Sequence, residues 1–418
     1  MTITTKLQYE VEKLDTIFEK TIDMKHNNLK AVEWQVPQIQ AKKDYEDFEF
    51  QSSLEHISND YLKIYKGYRY EAYKSWGFPK WKRAKLDGYE PEKYVSFVPT
   101  SVKGKIKGIN GIDEDGIEIL AKYDFEGAHR KFLLMAEAFS NTGFYLKTEE
   151  GESSEPIIIN YYWKAPIYEL SVYNLRPFSK ATVIRVLRSN NQGKGFRTTS
   201  NRIVVHKNAY LELININLNG NDDINIDNIF IELEENSRVE VTDIQIRGKI
   251  SAPHIFFRFS GKGATASVNP YFLATDDNII DMLYLMRFYA PKTTGSINGK
   301  GLIKDNSKAV FRGFLDLKRG AKDANASESG YTLTLSEKAK AEAIPSLTVD
   351  ENEVTASHAA SISTIESEKL YYLMTRGFSL EDAKKLIAYG IFEPVVNELN
   401  KFGEDISQEV QNVVFQQI

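Results

Sequence analysis

The chain of 418 residues contains no cysteine. That absence excludes disulfide staples, thiolate nucleophiles, Cys-ligated zinc and any iron–sulfur cluster held by the chain's own sulfurs. Histidine is scarce as well, and His26, His56, His129, His206, His254 and His358 are too widely spaced for the paired ligands of a metalloprotease helix. The chain lacks a Gly-x-x-x-x-Gly-Lys-Ser/Thr loop to cradle phosphates and a Gly-x-Ser-x-Gly elbow to present a nucleophilic serine, so no local motif marks an enzyme. No apolar run approaches the roughly 20 residues that span a bilayer, and Met1 to His26 alternates charged with apolar residues instead of forming a secretory signal. A cytoplasmic protein without membrane contact is expected. Positive charge is not in excess either: 53 Lys and Arg against 58 Asp and Glu give a net charge of −5, which argues against a nucleic-acid partner.

What is present is a 42% hydrophobic chain long enough for two or three folding units, with three textures along its length. From Thr5 to about Lys74 apolar residues recur three and four apart, as in Leu54, Ile57, Tyr61, Ile64 and Tyr68, which predicts helices through Asn59 and Asp60. Gly77, Pro79 and Gly88 then end the helical stretch and open an aromatic connection through Trp76, Phe78 and Trp81. After the polar loop Glu149 to Ser154 the pattern changes to short alternating runs such as Leu211-Glu212-Leu213, Val239-Glu240-Val241 and Phe257-Arg258-Phe259, separated by turns at Asn219-Gly220, Asn236-Ser237 and Asn298-Gly299. Such spacing suits a sandwich, a barrel or a parallel β-helix with coils of roughly 20 to 25 residues, and periodicity does not choose among them. Helical spacing returns in Leu370, Leu373 and Met374 and again in Leu380, Ala383, Leu386 and Ile387. Gly377 fits the left-handed cap of the first helix, Ser379 the N-cap of the second, and Pro394 the first turn of another. The boundaries are 1–150, mainly helical with an irregular connection; 151–350, strands; and 351–418, helical again.

Between Lys180 and Lys207 lie Lys180, Arg185, Arg188, Lys194, Arg197, Arg202 and Lys207 with no acid among them. The run reads either as a strip for a phosphate-bearing or acidic partner or as a solvated face. The stretch Asp222 to Glu240 is acidic and could be its complement. Asp222, Asp223 and Asp227 are also the best-clustered carboxylates for acid–base work on a carbohydrate, although acidic clusters in Asn-rich turns are usually only turns.

Specific strings lie between Pro291 and Val396: Val310-Phe311-Arg312-Gly313-Phe314, Leu333-Thr334-Leu335-Ser336, Val354-Thr355-Ala356-Ser357-His358, and Leu370-Tyr371-Tyr372-Leu373-Met374-Thr375-Arg376-Gly377 followed by Glu381-Asp382-Ala383. Together they resemble the SufB/SufD family of the SUF iron–sulfur assembly machinery, and the stretch from Tyr73 through Trp76-Gly77-Phe78-Pro79 to Arg83 is similar to the N-terminal region of its SufD members. The resemblance implies a mainly β protein, with a central right-handed parallel β-helix flanked by N-terminal and C-terminal helical regions. It also implies a non-enzymatic scaffold that pairs with a Cys-bearing SufB-like subunit and docks a SufC-like ATPase through its C-terminal helices. The nascent cluster would be shared with the partner and no cofactor held by this chain alone.

By the same resemblance His358 is the candidate metal ligand, with Ser357, Glu351 and Glu353 beside it in sequence. A lone histidine is otherwise more often a packing or surface residue. The chain departs from the family in reading Ala356-Ser357-His358-Ala359 where many SufD members have Cys-Ser-His-Gly, and Tyr289-Ala290-Pro291 where a histidine is common. It has no cysteine near Ser329-Gly330-Tyr331, where SufB members place theirs, which favours the SufD type. A homodimer acting without a distinct SufB is the alternative, since like β-helices pair at their edges as readily as unlike ones; a carbohydrate-active β-helix is the remote one.

Overall fold

The computed structural model describes residues 38–39, 43–81, 86–87, 89–162, 165–189 and 194–418. The helix expected from Thr5 to position 37, and Lys82, Arg83 and Gly88, lie outside the described residues. The N-terminal region contains helices α1 (Asp47–Leu54), α2 (Asp60–Lys74), α3 (Glu114–Lys122) and α4 (Arg130–Ala138). Strand Phe78–Trp81 pairs antiparallel with Gln38–Ile39 and with Leu86–Asp87. Asn59 does break the helical stretch: its side-chain oxygen accepts the Leu62 N–H and caps α2.

The buried face of α2 is also rotated from the expected stripe. Leu62, Tyr65, Lys66, Arg69, Tyr70 and Tyr73 are buried, whereas Tyr68 is exposed. Hydropathy misses this face because two of its members are cations satisfied inside the protein. Lys66 Nζ donates to Ser53 O, Ser140 O and Ser140 Oγ at 3.0 to 3.1 Å, and Arg69 pairs with Asp124 and Glu137.

From Phe144 to Thr364 the chain winds into a β-solenoid of about seven turns. Successive strands alternate between two nine-stranded sheets, and each pairs in parallel with the strand one coil earlier. A coil takes about 30 residues, not 20 to 25, because each holds two strands of nine to eleven residues plus their turns. The ladder starts before position 151 and continues past 350. Its turns use left-handed residues where short polar side chains tolerate them, as at Asn208, Asn236, Asp276 and Asp305.

Alternation sorts the side chains of each strand. Leu211 and Leu213 point into the lumen with Val183, Val241 and Val268, while Ile214, Ile216 and Leu218 point outward. Beyond helix α5 (Ser367–Thr375), the outward row is covered by helices α6 (Leu380–Leu399) and α7 (Glu404–Gln417), chiefly through Phe392, Val395, Val396, Leu399, Val410 and Val414. On the other sheet, Tyr168, Phe196 and Ile226 meet Tyr70, Tyr73, Phe132 and Phe139 of the N-terminal region. Pro394 lies inside α6 instead of opening a new helix. An internal proline costs about 3 kcal/mol, and burial of Phe392, Val395, Val396 and Leu399 around it exceeds that.

The two ends of the solenoid differ. At the N-terminal end, short strands Ser101–Lys103 and Lys107–Gly108 pair antiparallel onto the first coil, and Val98 and Ile106 close the lumen. At the other end, strands Lys340–Val349 and Val354–Thr364 stand at the outer edge of their sheets with nothing among the described residues paired beyond them.

Candidate functional site

The open terminal coil holds the residue that sequence singled out. His358 lies on Val354–Thr364 in register with Glu328, which is in register with Ile297, then Val268, then Val241. Residues aligned across a parallel ladder share a face. This lumen-facing column is therefore aliphatic through the body of the solenoid and ends in a carboxylate and an imidazole at its open mouth. His358 is exposed, because no further coil covers it.

Glu328 is only 3% exposed. Its carboxyl occupies the space opposite Gly313, where an added Cβ would come within 2.2 Å of it. Burial pushes the Glu328 carboxyl up to about 7, opposed by the Gly313 peptide N–H. Its Oε2 has no hydrogen-bond partner among the described residues. Sequence reasoning missed Glu328, though strand parity carried a signal: Ala326, Glu328 and Gly330 alternate with Ser327 and Ser329.

The acids expected beside His358 are engaged elsewhere. Glu351 accepts the Gly320 and Asn352 N–H groups, and Glu353 pairs with Lys322 at 2.9 Å. Around the mouth, Tyr331, Leu347, Val349 and Ile362 are exposed apolar side chains. Among the described residues no group of three or more His, Asp or Glu side chains is arranged to hold a metal ion.

A second exposed surface lies on the C-terminal helices. Helix α5 has no buried residue and presents Tyr371, 71% exposed, with Tyr372 and Met374; Phe378, Leu380 and Leu386 continue the surface. The apolar residues of α6 divide: Phe392 is core, Ile387 and Ile391 pack against it, and Leu386 faces out. Arg376 and Gly377 terminate α5 as expected. The Phe378 N–H reaches Leu373 O at 3.3 Å and the Gly377 N–H reaches Met374 O at 3.0 Å, with Gly377 at φ 95°. Ser379 Oγ accepts the Asp382 N–H at 3.1 Å and starts α6.

The basic run is not a strip. Arg185 and Arg197 point into the lumen, where they bind Glu169 and Asp227 at 2.8 to 3.2 Å. Arg202 points to the other side and binds Glu137 at 2.6 Å beneath the N-terminal helices. Arg188 clasps Glu409 of α7, and Lys207 pairs with Glu235. Burial works to raise the Glu169 and Asp227 carboxyls, but the two guanidiniums outweigh it and hold both below their ordinary values. The acidic stretch is no patch either: Asp223 accepts the Gly195 and Gly220 N–H groups, Asp227 is in the lumen and Asp222 is exposed, so these three do not converge on a groove.

Residues 166–391, more than half of the chain, match the family profile described as the SufBD core domain of SUF system FeS cluster assembly. The chain belongs to the SufBD family. It is 43% identical over 111 residues to the "Iron-sulfur cluster assembly protein SufD" of Bacillus subtilis (strain 168), covering 27% of this chain and 25% of that protein. It is 30% identical over 197 residues to an "Iron-sulfur cluster assembly SufBD family protein" of Staphylococcus saprophyticus, covering 47% of this chain and 42% of the relative. The matches thus span between a quarter and about two fifths of these relatives. The SufBD core region includes the solenoid coils from strand Ile167–Leu175 to the open mouth, with His358 and Glu328, and the exposed α5. No helix among the described residues is long and apolar enough to cross a membrane.

Proposed function

We propose that this chain is a SufD-type scaffold subunit of iron–sulfur cluster assembly: a non-catalytic partner that meets a Cys-bearing SufB-type subunit end to end and offers His358 to the nascent cluster between them. The observation that carries the reading is the asymmetry of the solenoid. One end is closed by antiparallel strands, whereas the other has two edge strands that no described strand pairs with, around a mouth lined by Leu347, Ile362 and His358. Unpaired edges next to apolar side chains are what a protein covers with another chain.

The cluster is cargo, and the thiolates it needs must come from the partner, since this chain has none. The exposed Tyr371, Tyr372 and Met374 of α5 are the surface for a SufC-type ATPase, which supplies the nucleotide site this chain lacks a motif for. Such an assembly belongs in the cytoplasm, where the partner's thiols stay reduced.

The test is co-expression with SufB-type and SufC-type chains, followed by size exclusion with light scattering and reconstitution. A complex with one copy of this chain per Cys-bearing subunit is expected. His358→Ala should leave that complex intact and reduce cluster yield; an unchanged yield removes the ligand role. A second reading, self-pairing, is favoured by the same two edges, because a two-fold axis brings identical edges together; a homodimer that ignores both partner chains would establish it.

A further inference from the structure

We propose that Glu328 is a second ligand at the mouth, so that this chain presents an imidazole–carboxylate pair, His358 and Glu328, as a half-site for a divalent first-row cation of the ferrous class. The inference rests on the reading of the mouth as the partner-facing end and adds to it a residue and a ligand chemistry.

The argument starts from register. Glu328 and His358 are aligned partners on adjacent parallel strands and share the lumen face. Such neighbours lie about 4.8 Å apart. Two donors that each reach about 2 Å to a metal span that separation with a single ion between them.

Burial supplies the second step. Glu328 is 3% exposed and its Oε2 has no hydrogen-bond partner among the described residues. A buried carboxyl oxygen left unpaired is costly in either protonation state. No Lys or Arg among the described residues pairs with Glu328: Arg312, next to Gly313 in sequence, is engaged with Asp281 on the outer face, and Lys318 with Asp316 and Asp350. Gly313 keeps the space that the carboxyl occupies, since any side chain there would displace it. The one exposed donor next along the column is His358.

Chemistry then selects the ion. An imidazole and a carboxylate together suit Fe(II), Mn(II) or Co(II) better than a soft ion that demands sulfur. With only two ligands from this chain, the remaining positions belong to water or to the paired chain.

The experiment is a Co(II) titration of the full-length chain, alone and in its assembled complex, followed by the visible absorption of bound cobalt and by calorimetry. One Co(II) per chain is expected. Glu328→Gln, which keeps the shape of the side chain, and His358→Ala, at an exposed position, should each weaken binding at least tenfold, while Glu353→Gln in the neighbouring turn changes nothing. Wild-type affinity in Glu328→Gln would overturn the proposal and leave His358 a lone ligand. Absence of cobalt binding by the wild-type chain in both states would overturn it too. A chain that pairs with no partner yet loses cobalt on Glu328→Gln would instead refute end-to-end pairing and leave the ligand pair standing.

Discussion

Arg185 and Arg197 occupy lumen positions in register with Ile159 and Ile167 on one side and Asn215 and Asn225 on the other, and they are tolerated because Glu169 and Asp227 stand opposite. Replacing one guanidinium leaves a carboxylate buried beside too little positive charge. Arg197→Leu should therefore lose about 3 to 5 kcal/mol, read from urea unfolding by circular dichroism. The inward direction of Arg185 was legible in sequence, since it sits two residues from both Val183 and Leu187, but its partners come from 16 and 42 positions away and were not. Lys66 gives the second residue-scale expectation. Burial lowers it from 10.5 to about 7, and its partners are neutral oxygens. Between those values the unfolded chain holds a proton that the folded chain has released. Stability from this group should rise as pH increases from about 7 toward 10.5, by at most about 1.4 kcal/mol per pH unit. Lys66→Met should flatten that rise in pH-dependent unfolding.

At the scale of elements, the signals that held were local. The caps at Asn59, Gly377 and Ser379 depend on one side chain or one φ angle, and only Asn59 was undervalued as a break. The signals that failed depended on what each helix packs against. Proline 394 reads as a helix start, yet α6 continues through it because its far half is pressed onto Ile214, Ile216, Ile244 and Leu302 of the solenoid. Phe392 is fully buried in that contact. Phe392→Ala should cost about 3 to 5 kcal/mol locally and expose α6 and α7 to amide hydrogen exchange, while protection of the lumen strands is retained. Retained protection in α6 would mean that the remaining valines suffice.

At the scale of the whole molecule, function is proposed at the one end where the solenoid is left open. Ile362 faces that mouth on the edge strand and is half exposed. Ile362→Lys should abolish end-to-end pairing, measured by light scattering, because a charge on an edge strand opposes strand addition. Unfolding of the isolated chain should change by no more than about 0.5 kcal/mol, as for other surface substitutions.

Sequence by itself determined the absence of a thiolate, the β texture between two helical regions and the caps of the C-terminal helices, and its family strings drew attention to His358. These follow from residue identity and spacing within a few positions. Tertiary structure alone decided that the basic run is split between lumen and helix contacts, that the acidic stretch forms no groove, and that Glu328 stands beneath His358. Those facts depend on which residues a coil of about 30 positions brings into register. Coil length is a sum of strand and turn geometries, and no single stretch of the chain encodes it.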